Sequence, residues 1–535
     1  MKRMLLLGDE AIAQGALDAG LSGVYAYPGT PSTEITEYIQ RSKEARERGV
    51  HSDWSANEKT AMEAALGMSY AGKRAMACMK HVGLNVAADG FVNAGITGAN
   101  GGLLVVVADD PSMHSSQNEQ DSRYYGKFAL VPVLEPSNQQ ETYQAAAYGF
   151  ELSEKYATPV MIRITTRLAH SRAGVDRSEE RNENDLRLPS DKRQFVLLPS
   201  IARRNYQTLL GKQAAFEEES ENSPFNSYTD GEDKSLGIIA CGIAHNYLME
   251  NYPERCPHPV LKIGQYPVSR GMVQRLLDSC ERVLILEEGA PFLEEQLRGL
   301  MDKPFNILGR LDGTVPRAGE LNPNIVAKSL GSDIEMGEPK ADLVKPRPPE
   351  LCPGCPHIDS YNALNEALKE LEPGRVFSDI GCYTLGALAP FNSINSCVDM
   401  GASITMAKGA ADAGLFPSVA VIGDSTFTHS GMTGLLDAVI ENSPITVMIV
   451  DNETTGMTGG QASSARGRLE DICAGIGVPR EHIKVVEPLK KNHEMNVATI
   501  KEELDYRGVS VIIERRECIQ TLKISKKLAK EAKKS

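Results

Sequence analysis

Two short polar segments carry the strongest chemical signal in the chain. Gly423-Asp424-Ser425 follows the apolar run Val419–Ile422, and Asp451-Asn452-Glu453-Thr454 follows Ile445–Val450, with helical composition over Gly434–Glu441 between them. Asp424 and Asn452 are 28 residues apart. One right-handed strand–helix–strand crossover would bring the loops after both strands to the same sheet edge. A carboxylate and an amide carbonyl at that edge suit a Mg²⁺ that keeps some ligands for a diphosphate. The glycine-rich Thr458-Gly459-Gly460-Gln461 just beyond lets backbone amides approach the phosphates. Alone, Gly-Asp-Ser is a common strand-end turn; its pairing with Asp-Asn at this spacing makes it a site.

The cysteines are the second signal. Cys78, Cys241, Cys256, Cys280, Cys397 and Cys473 lie singly and read as small buried apolar residues. Cys352 and Cys355 form a CxxC in LCPGCPH, Cys382 follows Ser-Asp-Ile-Gly, and Cys518 follows an expected strand. A CxxC alone fits zinc, a redox pair or an iron–sulfur centre. A tetrahedral zinc site of Cys352, Cys355 and Cys382 with Cys518 or His357 is one reading. A further acid, Glu58, opens a helix in NEKTAMEAALG directly after the strand-like Val50–Trp54. A first-turn Glu is favoured at any helix N-terminus by the dipole.

The elements that must position these residues alternate. Val24–Tyr27, Arg74–Met79, Gly102–Ala108 and Pro159–Ile164 read as strands, and Ala56–Ala71 and Gln139–Glu154 as helices. This alternation predicts an α/β fold with parallel sheets covered on both faces. A polar stretch, Ser171–Arg193, closes a first unit, 1–185. A second, 194–335, holds strands at Leu236–Ala240, Val260–Ile263 and Val283–Leu286, and an acidic insertion, 217–233, expected as an exposed loop. Prolines crowd Gly337–Pro356, which reads as a linker. A third α/β unit, 345–520, carries the Asp/Asn pair and the four grouped cysteines. A tail, 521–535, has six lysines in its last thirteen residues, and is expected as a frayed terminus or a surface that steers an acidic partner.

The Asp424/Asn452 pattern resembles the thiamin diphosphate motif. Across the chain AYPGTPSTEI (26–35), ANEKTAMEAALG (56–67), MKHVGLNVAADG (79–90), SSQNEQDSR (115–123), LCPGCPH (351–357), SDIGCYTLG (378–386), GDSTFTHSG (423–431), DNETTGMTGGQ (451–461) and RREC (515–518) appear in order. Together they resemble the 2-oxoacid:ferredoxin oxidoreductase family, nearest to its indolepyruvate ferredoxin oxidoreductase alpha subunits. The resemblance implies a pyrimidine-binding domain over 1–185, a middle transketolase-C-like α/β domain over 194–335, and a diphosphate- and Mg-binding domain over 345–520. It implies Glu58 as the acid that activates the aminopyrimidine, and Asp424, Asn452 and the Thr454 carbonyl as Mg²⁺ ligands. Gly423, Ser425, Thr458 and Gly459 would line the cofactor, Thr30 would lie near the substrate carboxylate, and His81 and Asn85 beside the active site. Cys352, Cys355, Cys382 and Cys518 would hold a 4Fe–4S cluster.

The implied reaction is decarboxylation of an aryl 2-oxoacid, with two electrons leaving singly and coenzyme A taking the acyl group. The implied partners are a smaller beta (gamma-type) subunit and either ferredoxin or a separate ferredoxin-like subunit. Typical alpha subunits continue into a ferredoxin-like domain with two cysteine runs; no cysteine follows Cys518 here, which leaves the electron exit open. A non-redox thiamin decarboxylase or carboligase would leave the four grouped cysteines without a common task. A silent scaffold would not need Glu58, Asp424 and Asn452. The net charge of −14 argues against binding nucleic acid through broad electrostatic attraction. The apolar runs fall short of the roughly 18 residues that span a bilayer. A soluble cytoplasmic enzyme is the expectation.

Overall fold

The computed structural model describes residues 3–191, 194–300, 306–316, 319–334, 341, 343–345, 350–397, 400–412 and 415–523. The lysine-rich tail beyond Lys523 and much of the proline-rich linker therefore lie outside the described residues. The chain divides into two compact units, Met1–Pro339 and Lys340–Ser535.

The first unit is built on a seven-stranded sheet. Its order is Gln265–Tyr266, Val133–Leu134, Val160–Thr165, Leu103–Asp109, Ala75–Lys80, Gly23–Ala26 and His51–Trp54. All neighbours run parallel except Gln265–Tyr266, which is antiparallel to Val133–Leu134. Every residue of Leu103–Asp109 is buried, because helices cover both faces of the sheet, and this explains its unbroken apolar run. A second, five-stranded sheet in the same unit has the order Ile307–Leu308, Val283–Leu286, Gly237–Cys241, Val260–Ile263 and Ser227–Thr229.

Two sequence expectations are corrected in this unit. The acidic stretch 217–233 is not an open loop: the helix Pro199–Glu221 runs into it and Ser227–Thr229 adds an edge strand. Phe225 and Asn226 are buried there, and the Asn226 side-chain oxygen accepts from the amides of Gly264 and Gln265 at 2.7 and 2.9 Å. The surrounding charges masked those two anchors. The polar stretch after residue 171 also contains a strand, Arg172–Asp176, paired antiparallel with Arg3–Leu7.

A buried ion network joins the two sheets of this unit. Arg163 pairs with Asp109 at 2.6 Å and with Glu135, and Arg123 pairs with Asp121 at 2.5 Å and Glu287 at 3.0 Å. Both guanidinium groups also donate to the Glu288 carbonyl at 3.0 Å. Removing one partner of such a network strands a buried charge, at a cost of roughly 3–5 kcal/mol. Asp121 and Arg123 of the SSQNEQDSR segment therefore do structural work.

The second unit is a six-stranded, all-parallel sheet in the order Ser396–Cys397, Val376–Ser378, Ser418–Gly423, Ile445–Asp451, Ser510–Arg515 and Ile483–Val486. Apolar clusters fill both faces. Of the lone cysteines, Cys78, Cys241, Cys256, Cys280 and Cys473 are buried as expected, but Cys397 is exposed, at the sheet edge.

Candidate active site

In the second unit Gly423 pairs with Val450 on the adjacent parallel strand, so Asp424 and Asn452 leave the sheet at the same edge. Asp424 begins a helical run that passes through a π turn at Phe427–Gly431 and continues as Met432–Ile440. The N-terminus of such a run favours an anion. Gly423 is required by its neighbour: a Cβ there would lie 2.5 Å from the Tyr383 ring. Tyr383 is itself fixed by its hydroxyl, which donates to the buried Asp379 carboxylate.

Asp424 is almost fully buried, and its Oδ2 has no hydrogen-bond partner. Burial pushes its carboxyl up to about 7; the Asp451 charge adds to the rise and Ser463 opposes it. An orphaned buried carboxylate is what a cation site requires. Asn452 is also buried. Its Oδ1 accepts from the Thr454 amide at 3.1 Å, and its Nδ2 lies 3.4 Å from His357 Nε2 and 3.7 Å from Cys382 Sγ. Burial lowers His357 to about 4, so it is a neutral imidazole beside the amide.

Beyond Asn452 the strands Thr454–Thr455 and Gln461–Ala462 form a hairpin. Thr458 Oγ1 donates to Gln461 Oε1 at 2.6 Å, and Gly459 and Gly460 take φ of 118° and 88°, a backbone that needs glycine. Ser425 Oγ lies 2.6 Å from Thr455 Oγ1, which ties the hairpin to the Asp424 turn.

The four grouped cysteines meet at this same edge. The Cys355 amide donates to the Cys352 carbonyl at 2.8 Å, and Gln520 Nε2 donates to Cys352 Sγ at 3.3 Å. The Cys518 amide donates to the Asn452 carbonyl at 3.1 Å. Cys382 Sγ is 3.3 Å from His357 Nε2. Burial raises the Cys382 thiol to about 12, with the charges of Cys355, Cys518, Asp424 and Cys352 adding to it. Zn–S bonds of about 2.3 Å hold tetrahedral sulfurs roughly 3.8 Å apart. Among the described residues, no three of these donors fall within 4.8 Å of one another. The quartet is wider than a mononuclear zinc site.

The first unit gathers the other expected residues. Glu58 starts the helix Glu58–Tyr70, capped by Asn57 Oδ1 accepting from the Thr60 amide at 2.9 Å. Glu58 is 4% exposed. Gly83, on the helix His81–Thr97, lies so close that a Cβ would stand 2.5 Å from Glu58 Oε1. His81 is buried at that helix start, its Nε2 3.2 Å from the Asn118 carbonyl and its Nδ1 without a partner. Asn85 accepts from the Tyr125 hydroxyl at 2.7 Å. The Thr30 carbonyl accepts from Ser115 Oγ at 3.2 Å.

Sequence reasoning missed Lys80, which lies along Gly29, and Gly83, although both sit in the MKHVGLN segment. It also missed Asp9, Glu34 and His170, whose ligand atoms cluster within 4.8 Å. Residues this far apart in the chain leave no spacing signal.

Two family models match the chain. Residues 14–219 match the pyruvate flavodoxin/ferredoxin oxidoreductase thiamine diphosphate-binding family, and residues 379–521 the C-terminal TPP-binding domain of thiamine pyrophosphate enzymes. The indolepyruvate oxidoreductase subunit IorA of Pyrococcus abyssi is 39% identical over 97% of this chain and 86% of its own length. That of Thermococcus kodakarensis is 40% identical over the same shares. The 2-oxoglutarate synthase subunit KorA of Methanocaldococcus jannaschii is 29% identical over 33% of this chain and 49% of its own. Among solved structures, 2-oxoglutarate:ferredoxin oxidoreductase from Magnetococcus marinus, with 2-oxoglutarate, coenzyme A and succinyl-CoA bound, superposes with a TM-score of 0.51 at 16% identity. It covers 62% of this chain and 65% of that one, a likeness of fold. No described helix is long and apolar enough to cross a membrane. With thiamine diphosphate-binding family models matched in both units, and relatives near 39% identity along almost its whole length, the chain belongs to the 2-oxoacid:ferredoxin oxidoreductase family and is IorA-like.

Proposed function

We propose that the chain is the thiamin-bearing subunit of an enzyme that oxidatively decarboxylates an aryl 2-oxoacid of the indolepyruvate type to its acyl-CoA. A smaller beta-type subunit would complete the enzyme, and ferredoxin or a ferredoxin-like subunit would take the electrons. The observation that carries this reading is the meeting of four thiols with the Asp424/Asn452 edge, where Cys382 Sγ stands 3.7 Å from Asn452 Nδ2. A non-redox thiamin enzyme has no use for thiols there.

The residues fit the groups they would hold. Asp424, Asn452 and the Thr454 carbonyl would bind Mg²⁺, and the orphaned Asp424 Oδ2 supplies the charge that metal needs. Gly423, Ser425, Thr458 and Gly459 would border the diphosphate. Cys352, Cys355, Cys382 and Cys518 would hold a 4Fe–4S cluster, and their spread beyond a zinc tetrahedron supports this. Thiamin diphosphate supplies a carbon nucleophile and an electron sink when bound. Glu58 would hold a proton at the aminopyrimidine nitrogen, its buried side chain kept in place by the Gly83 helix. Thr30 would bind the substrate carboxylate, and His81 would border the reacting carbon.

The overall reaction balances as 2-oxoacid plus coenzyme A giving acyl-CoA, CO₂, one proton and two electrons. The test is anaerobic purification followed by iron, sulfide and thiamin assays. Viologen reduction would then be followed with indolepyruvate and with pyruvate, each with and without coenzyme A. The reading expects about four iron and four sulfide per chain, and a higher kcat/KM for the aryl acid. Zinc without iron or sulfide, or turnover that ignores thiamin diphosphate, would contradict it.

A further inference from the structure

Lys80 ends the strand Ala75–Lys80, one residue before the helix that carries His81 and Gly83. Its stem lies along Gly29, where a Cβ would stand 3.2 Å from Lys80 Cγ and Cδ. Its ammonium donates to the Ser115 carbonyl at 3.2 Å, and the Ser115 hydroxyl donates to the Thr30 carbonyl at the same distance. Lys80, Ser115 and Thr30 thus form one polar rim. Burial lowers the Lys80 ammonium, while the charges of Asp110 and Glu58 pull the other way, so the rim lies within the field of Glu58.

The other cations near this rim are already matched. Arg167 grips Glu320 at 2.5 and 2.8 Å, His114 is 3.4 Å from Glu320, and His170 is 3.6 Å from Glu34. Asp110 accepts from the Ser115 amide, the Ser116 hydroxyl and the Thr166 hydroxyl at 2.7–2.8 Å. Among the described residues Lys80 has no carboxylate within 4.0 Å, and a single carbonyl takes one of its three donors. A partly desolvated ammonium that feels the charges of Asp110 and Glu58 but touches neither carboxylate has donors left for an incoming anion. The anion that must come to rest beside Thr30, on the proposed reading, is the carboxylate of the 2-oxoacid.

We propose that Lys80, beside Thr30, supplies the positive charge that recognises the substrate carboxylate and so selects 2-oxoacids over neutral carbonyl compounds of the same shape. The inference rests on the proposed oxidation. An aryl acetaldehyde provides the control, because it reaches the same acyl-CoA without a carboxylate: aldehyde plus coenzyme A gives acyl-CoA, two protons and two electrons, taken by the viologen.

The experiment compares wild type, Lys80→Met, Lys80→Gln and Lys80→Arg as anaerobic holoenzymes, with iron and thiamin content as the check on folding. A charge-assisted contact of this kind changes affinity by roughly 10- to 150-fold. The Met variant should raise the KM for indolepyruvate within that range while kcat falls less than about threefold. The Arg variant should restore most of the affinity, and the aldehyde KM should not move. Lys80→Gln retains an N–H donor and loses the charge, so it should behave as Met does even where Met perturbs packing. An indolepyruvate KM within about threefold of wild type in the Gln variant, or equal losses on acid and aldehyde, would overturn the assignment. A wild type that oxidises the aldehyde but no 2-oxoacid would remove the proposed function along with it.

Discussion

Asp424 allows a stability experiment whose sign and size follow from its surroundings. Its carboxyl is raised from 3.8 to about 7, first by burial. A group with a raised folded-state pKa lends its full stability below the unfolded value and loses it as pH rises through the folded one. The loss is about 1.4 kcal/mol per pH unit, so the cofactor-free chain is about 4 kcal/mol poorer above pH 7 than below pH 3.8. About half of that is already lost at pH 5.5, so the remaining change between pH 5.5 and 8.5 is roughly 2 kcal/mol. Asp424→Asn cannot ionise and escapes the loss. Denaturant titrations of the cofactor-free chain should show the variant's advantage growing by about 2 kcal/mol from pH 5.5 to 8.5. Adding Mg²⁺ with thiamin diphosphate at a hundredfold over its Kd should stabilise the wild type by about 2.7 kcal/mol and leave the variant unmoved. A variant advantage that is flat with pH, or an equal gain from cofactor in both proteins, would refute the argument that Asp424 is a buried carboxylate awaiting a metal.

Two further outcomes follow from the same geometry. Cys382→Ser and Cys518→Ser should each lose the visible iron–sulfur absorbance while thiamin diphosphate still binds, since neither side chain is among the proposed ligands of Mg²⁺ or the diphosphate and the bond from the residue 518 amide to the Asn452 carbonyl is a backbone bond that serine keeps; parallel loss of both cofactors would break that separation. Asp9 is fully buried, and burial and then the Glu34 charge raise its carboxyl, so Asp9→Asn, whose amide can donate to Glu34, should stabilise the chain by roughly 1–3 kcal/mol at pH 8 and by less at pH 4, read as a widening difference in Tm.

Much of the second unit was legible because its signals are local. A strand, a Gly-Asp turn, a helix and a second strand ending in Asp-Asn fix which sheet edge they share, and the register of Gly423 opposite Val450 follows that pattern. The cysteine quartet was legible as types and motifs, but its closeness to Asn452 depends on the turn after Arg515 and on the helix Pro356–Ala367, which carries His357. Neither leaves a periodic trace. Phe225 and Asn226 were hidden by the charges around them, and Cys397 was misread because a two-residue edge strand exposes it. Lys80 and the Asp9 cluster were invisible for another reason: what makes them notable is the absence or presence of charges from distant segments, Glu320, Glu34 and His170, and only folding sets those distances.

On the proposed reading, Glu58 activates thiamin diphosphate. Its most direct test is the rate at which the thiazolium C2 proton of the bound cofactor exchanges with deuterium, in wild type and in Glu58→Gln, read by quenched-flow NMR without substrate. The variant should bind the cofactor normally and slow exchange by about 10²–10⁴-fold, the usual worth of a positioned acid–base group. Exchange in the Gln variant within about threefold of wild type would contradict it.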